Sequence, residues 1–442
     1  MTNEITNGSQ AGERVSSGWF SSWQNLLLLL LVAWLLLSQS YGGATNPASA
    51  IKGWDFRVPY DAAVRINTSQ ALYNNMGGAN GTPPYVYTPL VAMAFRPLAH
   101  LSLDRAIQVW FLVSAACLIL SVIFFARASG IEPGEVVPLC IMLIVGFRFW
   151  PMVFNFGLGQ VNNLLLVCVC GMFWAEKRGK PALAGLLIAL AALVKIWIIG
   201  ILIYPLVRKN WKMAVWSVVF YCAGLAAVFV PFGKSEFLRF VTVTLHNTEQ
   251  KHLLSQSIVG FARLYFAPNP HVNALFPNPA FYYGFIAFGY LLVGGAFVYL
   301  WSRRGGPRTP REARLWFGLC LLSIPLVSPL CHDEYFILAL PLLWTLLTRP
   351  RCEAGSKGLS WSFAASLILY ALLMRPWPTS GDGLAAHRSG LGSLLASSFF
   401  LLGAALWFCG LFSIIKIRTD TAKAPAGQSL PASLPVFVPS GS

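Results

Sequence analysis

Charge is what this chain has least of. Charged residues make up 11% of its 442 positions and acidic residues number 16, where an ordinary soluble domain is roughly 25% charged. With 56% hydrophobic residues and a mean hydropathy of +0.62, a soluble class is excluded, and the chain reads as a multi-span membrane protein. No stretch reads as a soluble domain or as an internal repeat. The nine cysteines fall mostly within apolar runs and lack metal-ligand spacing. Cys168 and Cys170, two positions apart, face different directions on a helix. They read as small core residues, so neither a metal nor a cofactor is expected. The net charge of +16 does not indicate nucleic acid, because the basic residues concentrate in short loops between apolar runs.

What is present is a long series of apolar segments. Residues 1–22 are polar and read as a disordered cytoplasmic N-terminus, 23–418 as the transmembrane domain, and 419–442 as a disordered C-terminal tail. Asn25–Leu37 begins the series, and Ala48, Ser49 and Ala50 lie too far beyond it for a signal-peptide site, so an uncleaved first span is expected. Further apolar stretches fall near 86–100, 106–126, 134–155, 161–175, 181–207, 213–231, 279–301, 313–331, 335–348, 359–374 and 392–415. A span needs roughly 20 residues, so the shorter ones are candidates for broken or re-entrant elements. Basic loops at 208–212, 303–314, 349–357 and 416–423 mark the cytoplasmic side. The first outer loop is then 41–84 and the second long one 232–278. The segment 181–207 is either one long span or a pair broken at Lys195 near the outer face. The expected fold is an all-α membrane protein, a multi-span helical bundle of about 12 apolar segments with short interfacial helices in the first outer loop.

The scarcity of acid makes each outward carboxylate informative. The candidates are Asp55, Asp61, Glu236, Glu249, Asp333, Glu334 and Asp382, with Asp104, Glu132 and Glu135 depending on topology. Asp55 stands between Trp54 and Phe56, an apolar setting that raises a carboxylate's proton affinity and suits a general base. It suits equally a helix cap or a partner for Arg57. Lys195 lies within VKIW, where an ionisable group is a functional candidate, though a lysine there can also snorkel to the interface. Arg263 faces the alternative of pairing with Glu236 or Glu249, and His252 that of simple solvation. Gln160, Asn162 and Asn163 open an apolar segment, either to bind hydroxyls or to cap free helix donors. Tyr85 and Tyr87 precede Pro89 in an extended entry to a helix at the interface, where an aromatic belt also accounts for them. Arg148, in GFRFWP, reads as a lipid-phosphate contact or half of an internal ion pair.

Taken in order, several of these residues form a pattern. Asp55, Tyr60, Ala62 and Ala63, then Leu72 and Tyr73, then Tyr85, Tyr87, Pro89 and Pro97, then Gly159, Gln160 and Asn162 resemble glycosyltransferase family 87. Gly185 and Lys195, then Gln256, Ser257 and Arg263, then Ser328, Pro329 and the stretch Tyr335 to Pro341 extend the match over nearly the whole chain. That family belongs to the C superfamily of multi-span glycosyltransferases.

The resemblance implies a polyprenyl-phosphate sugar donor such as polyprenyl-phosphate mannose, and a lipid-linked or glycan hydroxyl acceptor on the outer side. It implies inverting displacement within a bundle open laterally to membrane lipids. A lipid phosphate leaves without help from an acid, so one base suffices, unlike hydrolytic sugar chemistry with its two carboxylates. By position the resemblance carries the base role to Asp55, with Asp61 as the alternative. Arg57, Lys195, His252 and Arg263 become the candidates for the donor phosphate. Gln160, Asn162, Tyr85 and Tyr87 become candidate substrate contacts.

SPLCHDEYF departs from the family pattern, which often places an aromatic and then a histidine in this turn. Three possibilities stay open there: His332 assists at the phosphate, Glu334 takes the family histidine's place, or the acceptor differs. The competing class is a transporter or flippase of a lipid-linked sugar, which would show two related halves with broken spans and ionisable groups at midplane. Neither is evident in the sequence.

Overall fold

The computed structural model describes residues 20–45, 52–73, 83–132, 135–249, 255–268, 274–302, 306–307, 309–348 and 397–423. Among them are sixteen α-helices and no strand. The first six are α1 (Phe20–Thr45), α2 (Arg57–Asn67), α3 (Pro89–Phe95), α4 (Leu103–Ala128), α5 (Val136–Arg148) and α6 (Trp150–Leu158). The central five are α7 (Asn162–Lys177), α8 (Pro181–Val194), α9 (Ile203–Val207), α10 (Trp211–Phe229) and α11 (Gly233–Glu249). The last five are α12 (Ile258–Phe266), α13 (Pro279–Ser302), α14 (Pro310–Val327), α15 (Leu340–Leu347) and α16 (Ser398–Lys423). The expected segments 1–19, 359–374 and 375–391, with Asp382, and the tail beyond 423 lie outside the described residues.

Local chemistry sets many of the helix starts. Proline occupies the first turn of α3, α8, α14 and α15, where a missing N–H costs nothing. Asn210, Ser257 and Thr309 cap α10, α12 and α14, each accepting from a backbone N–H three residues on.

Four described helices, α4, α10, α13 and α16, are long and apolar enough to cross a membrane, and α5 with α6, bent by 54°, makes a fifth if it is one span. Among the described residues, then, about 12 spans is not confirmed. The stretch 86–100 is the seven-residue α3 and a turn at Leu98–His100, bounded by Pro89 and Pro97. The stretch 335–348 divides into a 3-10 run, Asp333–Ala339, and the eight-residue α15. The stretch 181–207 is broken at Lys195, as the broken-pair alternative has it, with a 3-10 run over Ile196–Leu202 before α9. Non-helical backbone at such depth is tolerated where protein surrounds it, and Lys195 and Glu334 are both buried.

The apolar side chains form two cores. The larger runs through the bundle, from α4, α5 and α7 to α14, α15 and α16, with Trp316, Phe317 and Trp344 wholly buried. There α8 meets α10 at Gly185, where an added Cβ would lie 2.6 Å from that of Trp216; small residues are the usual means of such close approach in membranes. The smaller core gathers Phe56, Ala62, Ala63, Tyr73, Tyr85, Ala92, Phe95 and Trp110 around α2 and α3. It forms a cap across one end of the bundle, and α2 is the short helix expected within the 41–84 loop.

Candidate active site

The site begins where the cap is tied to the bundle. The backbone N–H of Gly53 donates to the carbonyl of Gly157 at 2.9 Å, and those of Asp55 and Phe56 donate to Leu158 at 3.1 and 3.0 Å. These bonds occupy carbonyls that the end of α6 leaves without helical partners. Gly159 follows with φ of +68°, a left-handed cap that favours glycine. A Cβ on it would stand 2.7 Å from that of Phe56. The turn delivers Gln160 beside Asp55, and the Gln160 Nε2 donates to Asp55 Oδ2 at 2.6 Å.

Gln160 is the hub. Its Nε2 also reaches Glu334 Oε1 at 3.4 Å, and its Oε1 accepts from Lys195 Nζ at 2.9 Å and from the Tyr87 hydroxyl at 3.5 Å. The amide thus turns its donors to two carboxylates and its acceptor to the ammonium. Lys195 reaches this position because the helix stops there: the residue is extended, with φ −140° and ψ 116°. The Leu193 carbonyl freed by the break accepts from Thr88 Oγ1, supplied by the YVYTP segment. The ammonium lies 4.8 Å from the centre of the Tyr335 ring and 5.7 Å from that of Tyr87. Tyr335 in turn stacks on Trp197 at 4.4 Å, and His332 meets its edge at 5.6 Å.

The turn carrying Glu334 is held from behind. Ser255 Oγ accepts from the N–H of Cys331 at 3.0 Å, the N–H of Gln256 donates to the Cys331 carbonyl at 2.8 Å, and Gln256 Oε1 accepts from Phe400 N–H at 3.2 Å. Gln256, a residue of the family-like pattern, therefore positions backbone here, while its neighbour Ser257 caps α12 and lies 3.3 Å from Ser255 Oγ.

Electrostatics follows from this crowding. Burial, and then the charge of Glu334, push the Asp55 carboxyl above its usual range, against the pull of Lys195, the Gln160 bond and His332. Glu334 is 2% exposed, and burial raises its proton affinity against the pull of Lys195. Asp333 is pushed up to about 7 by burial and Glu334, and burial and Lys195 lower His332, favouring the neutral imidazole.

Of the residues singled out from sequence, the structure gathers Asp55, Tyr87, Gln160, Lys195 and His332. Asp55 neither caps α2, whose N-cap Phe56 makes no side-chain bond, nor binds Arg57; it accepts from Gln160. Arg57 acts on Asp104, which Lys52 holds at 2.8 Å. Asp61, half-buried on α2, takes no part in the bonds just described. Tyr85 is spent on the cap, its hydroxyl donating to the Thr88 carbonyl and accepting from Ala92 N–H at 2.9 Å. Asn162 is 1% exposed with both amide atoms unpartnered, while Asn163 donates to the Ser114 carbonyl at 3.2 Å, so neither caps α7. Arg263 is half-buried on α12 and apart from the Gln160 bonds, and Glu236 is engaged by Arg239 at 2.9 Å and Tyr73 N–H at 3.1 Å. Arg148 is exposed and donates to Gln39. His252 lies outside the described residues.

Three contributors had weaker signals. Glu334 was visible as one of several outward carboxylates and as a possible stand-in for a histidine; Thr88 and Trp197 gave no sign beyond lying next to Tyr87 and two residues after Lys195.

A helical bundle with membrane-spanning helices and a buried carboxylate–amide–ammonium cluster defines an integral membrane enzyme. The sequence model of glycosyltransferase family 87 matches residues 85–329, more than half of the chain, and the chain belongs to that family. It is similar to an alpha-(1->3)-arabinofuranosyltransferase of Corynebacterium glutamicum, 24% identical over 406 residues and 87% of each chain. It is also similar to a polyprenol-phosphate-mannose-dependent alpha-(1-2)-phosphatidylinositol pentamannoside mannosyltransferase of Mycobacterium tuberculosis, 28% identical over 204 residues and 45% of each chain. A protein of the same description from Mycolicibacterium smegmatis is 24% identical over 325 residues, 71% of this chain and 74% of its own. The family resemblance read from sequence holds, the chain is a membrane glycosyltransferase, and the transporter alternative is not favoured.

Proposed function

We propose that this glycosyltransferase takes a sugar, mannose first among the candidates, from a polyprenyl phosphate. It delivers the sugar to a hydroxyl of a lipid-linked or glycan acceptor on the outer face of the membrane. The observation that carries the reading is the Asp55 carboxylate held at 2.6 Å by Gln160, itself held at 2.9 Å by Lys195. Asp55 is the general base. It takes the acceptor hydroxyl's proton as that oxygen attacks the anomeric carbon and the carbon–oxygen bond to phosphate breaks, with inversion. Negative charge then grows on the phosphate, and Lys195 is the cation placed to stabilise it.

The outward orientation rests on the ends of the helices. The cluster lies at the Asn162 end of α7 and the Val194 end of α8, whereas the opposite ends carry Lys177 and Lys180. Basic loops favour the cytoplasmic side. The donor class is supported by the names of the mannosyltransferase relatives, and the arabinofuranosyltransferase relative makes arabinofuranose the second sugar to try.

The test is transfer by purified protein from polyprenyl-phosphate mannose, and separately from polyprenyl-phosphate arabinofuranose, into lipid extract of the host. Asp55→Asn is expected to lose roughly a hundredfold to ten-thousandfold in rate, the usual worth of a general base, while donor binding persists. Full activity of Asp55→Asn would remove the base assignment, and failure of wild type with every polyprenyl-phosphate sugar would remove the donor class.

A further inference from the structure

Two carboxylates, Asp55 and Glu334, approach one amide nitrogen, that of Gln160, at 2.6 and 3.4 Å. One ammonium, Lys195, stands on the other side of the same amide. Among the described residues, the remaining polar groups of the surround bring no second fixed cation. From the cap comes the Tyr87 hydroxyl and from the helix break Trp197; from the turn come His332, Asp333 and the Tyr335 ring. Two neighbouring carboxylates, Glu334 buried and Asp55 half-buried, facing one positive charge do not both ionise at low cost, so such a pair titrates as a unit and retains a proton. Glu334 is the more deeply buried member, and its Oε2 is buried without a hydrogen-bond partner. A buried polar oxygen left unpaired is uncommon and asks for an occupant.

The donor makes the charge problem sharper. On the reading proposed above, the donor is a phosphodiester that carries its own negative charge to Lys195. Lys195 and Glu334 share Gln160 as a hydrogen-bond partner, so an anion beside that amide feels both charges. If both carboxylates were ionised, the phosphate would enter a site with a net negative charge. We infer that Asp55 and Glu334 hold one proton between them, resident on Glu334, and that the Glu334 Oε2–H donates a hydrogen bond to an oxygen of the donor phosphate beside Lys195. Glu334 is then a donor-binding acid, while Asp55 remains the ionised base. Through turnover the acceptor's proton moves to Asp55, Glu334 keeps its own, the sugar–phosphate bond is exchanged for the sugar–acceptor bond, and Asp55 returns its proton to solvent as products leave.

The test has two arms. In the first, infrared spectra of the purified full-length protein at neutral pH are compared between wild type and Glu334→Gln. A protonated-carboxyl carbonyl band present in wild type and missing from the variant is expected, and its absence from wild type overturns the inference. This arm does not depend on the donor's identity. In the second, transfer from polyprenyl-phosphate mannose is measured for Glu334→Gln and Glu334→Ala. The amide keeps an N–H donor, so Glu334→Gln is expected within roughly tenfold of wild type, while Glu334→Ala, which loses the bond, raises the donor KM by roughly tenfold or more. Loss of transfer by Glu334→Gln to the level of Asp55→Asn would show that the ionised form is required and overturns the inference. If wild type itself transfers nothing from polyprenyl phosphates, the donor reading falls with the hydrogen bond to its phosphate, and the infrared arm alone decides where the proton lies.

Discussion

Asp55 works under two opposing demands: it must be ionised to accept a proton, and it must hold that proton well enough to take it. Burial and Glu334 raise its proton affinity, and Lys195 and Gln160 restrain the rise. Because the ionised form is the active one, the rate is expected to climb with pH through a midpoint above the usual carboxylate value of about 3.9. Gln160→Leu removes one of the restraints, so the acid limb of the pH–rate profile should move to higher pH. Without the amide to fix the carboxylate, kcat should also fall by roughly tenfold to a hundredfold. A pH titration of transfer for both proteins checks this, and an acid limb that moves to lower pH would contradict the role given to the amide.

At the scale of elements, the site is made by three places where a helix stops. The α6–α7 turn presents Gln160, the end of α8 presents Lys195, and the 3-10 run before α15 presents Glu334. Gly159 couples the first of these to the cap, since its left-handed backbone and its contact with Phe56 leave no room for a side chain. Gly159→Ala is expected to cost about 1–2 kcal/mol for the backbone and a further ~1–3 kcal/mol for overpacking. The variant should show a lowered melting temperature in detergent, together with a loss of transfer larger than its loss of folded protein, because Asp55 moves with Phe56. Unchanged transfer would show that the cap and the α6–α7 turn are not tightly coupled.

Across the whole molecule, chemistry and cohesion sit at opposite ends. Away from the site, the bundle closes over buried ion pairs. Glu176 accepts from Tyr204 at 2.7 Å and from Arg208 at 3.2 Å. Arg418 on α16 binds Glu312 on α14 and donates to the Gly306 carbonyl at 2.7 Å. Glu312 is fully buried, so Arg418→Ala withdraws a guanidinium from a buried carboxylate. That is expected to cost about 3–5 kcal/mol, read as a fall in the thermal midpoint of the purified protein. The donor KM of the folded fraction should stay near that of wild type, because the pair lies at the far end of α14 and α16 from Ser328 and Phe400.

Composition alone determined that this is a helical membrane protein, because so low a share of charge leaves no other medium for the apolar surface. The setting of Asp55 suggested a base, the ordered pattern from Asp55 to Pro341 carried the family, and the break at Lys195 was one of two readings of 181–207. These signals are local or sequential, and so legible in the chain. What the sequence did not show is which polar groups converge. Asp55, Gln160, Lys195 and Glu334 are separated by 105, 35 and 139 positions, and no periodicity links them. Their meeting depends on backbone bonds from the cap to the end of α6, on Thr88 sealing the end of α8, and on Ser255 and Gln256 holding the Cys331 turn. The number of spans was not legible for the same reason. Apolar stretches such as 86–100 and 335–348 look alike whether they meet lipid or protein, and only the packed structure separates them. Arg57, Asp61, Tyr85 and Arg263 carried comparable chemistry in the sequence, and which of these groups bond Gln160 only the tertiary structure shows.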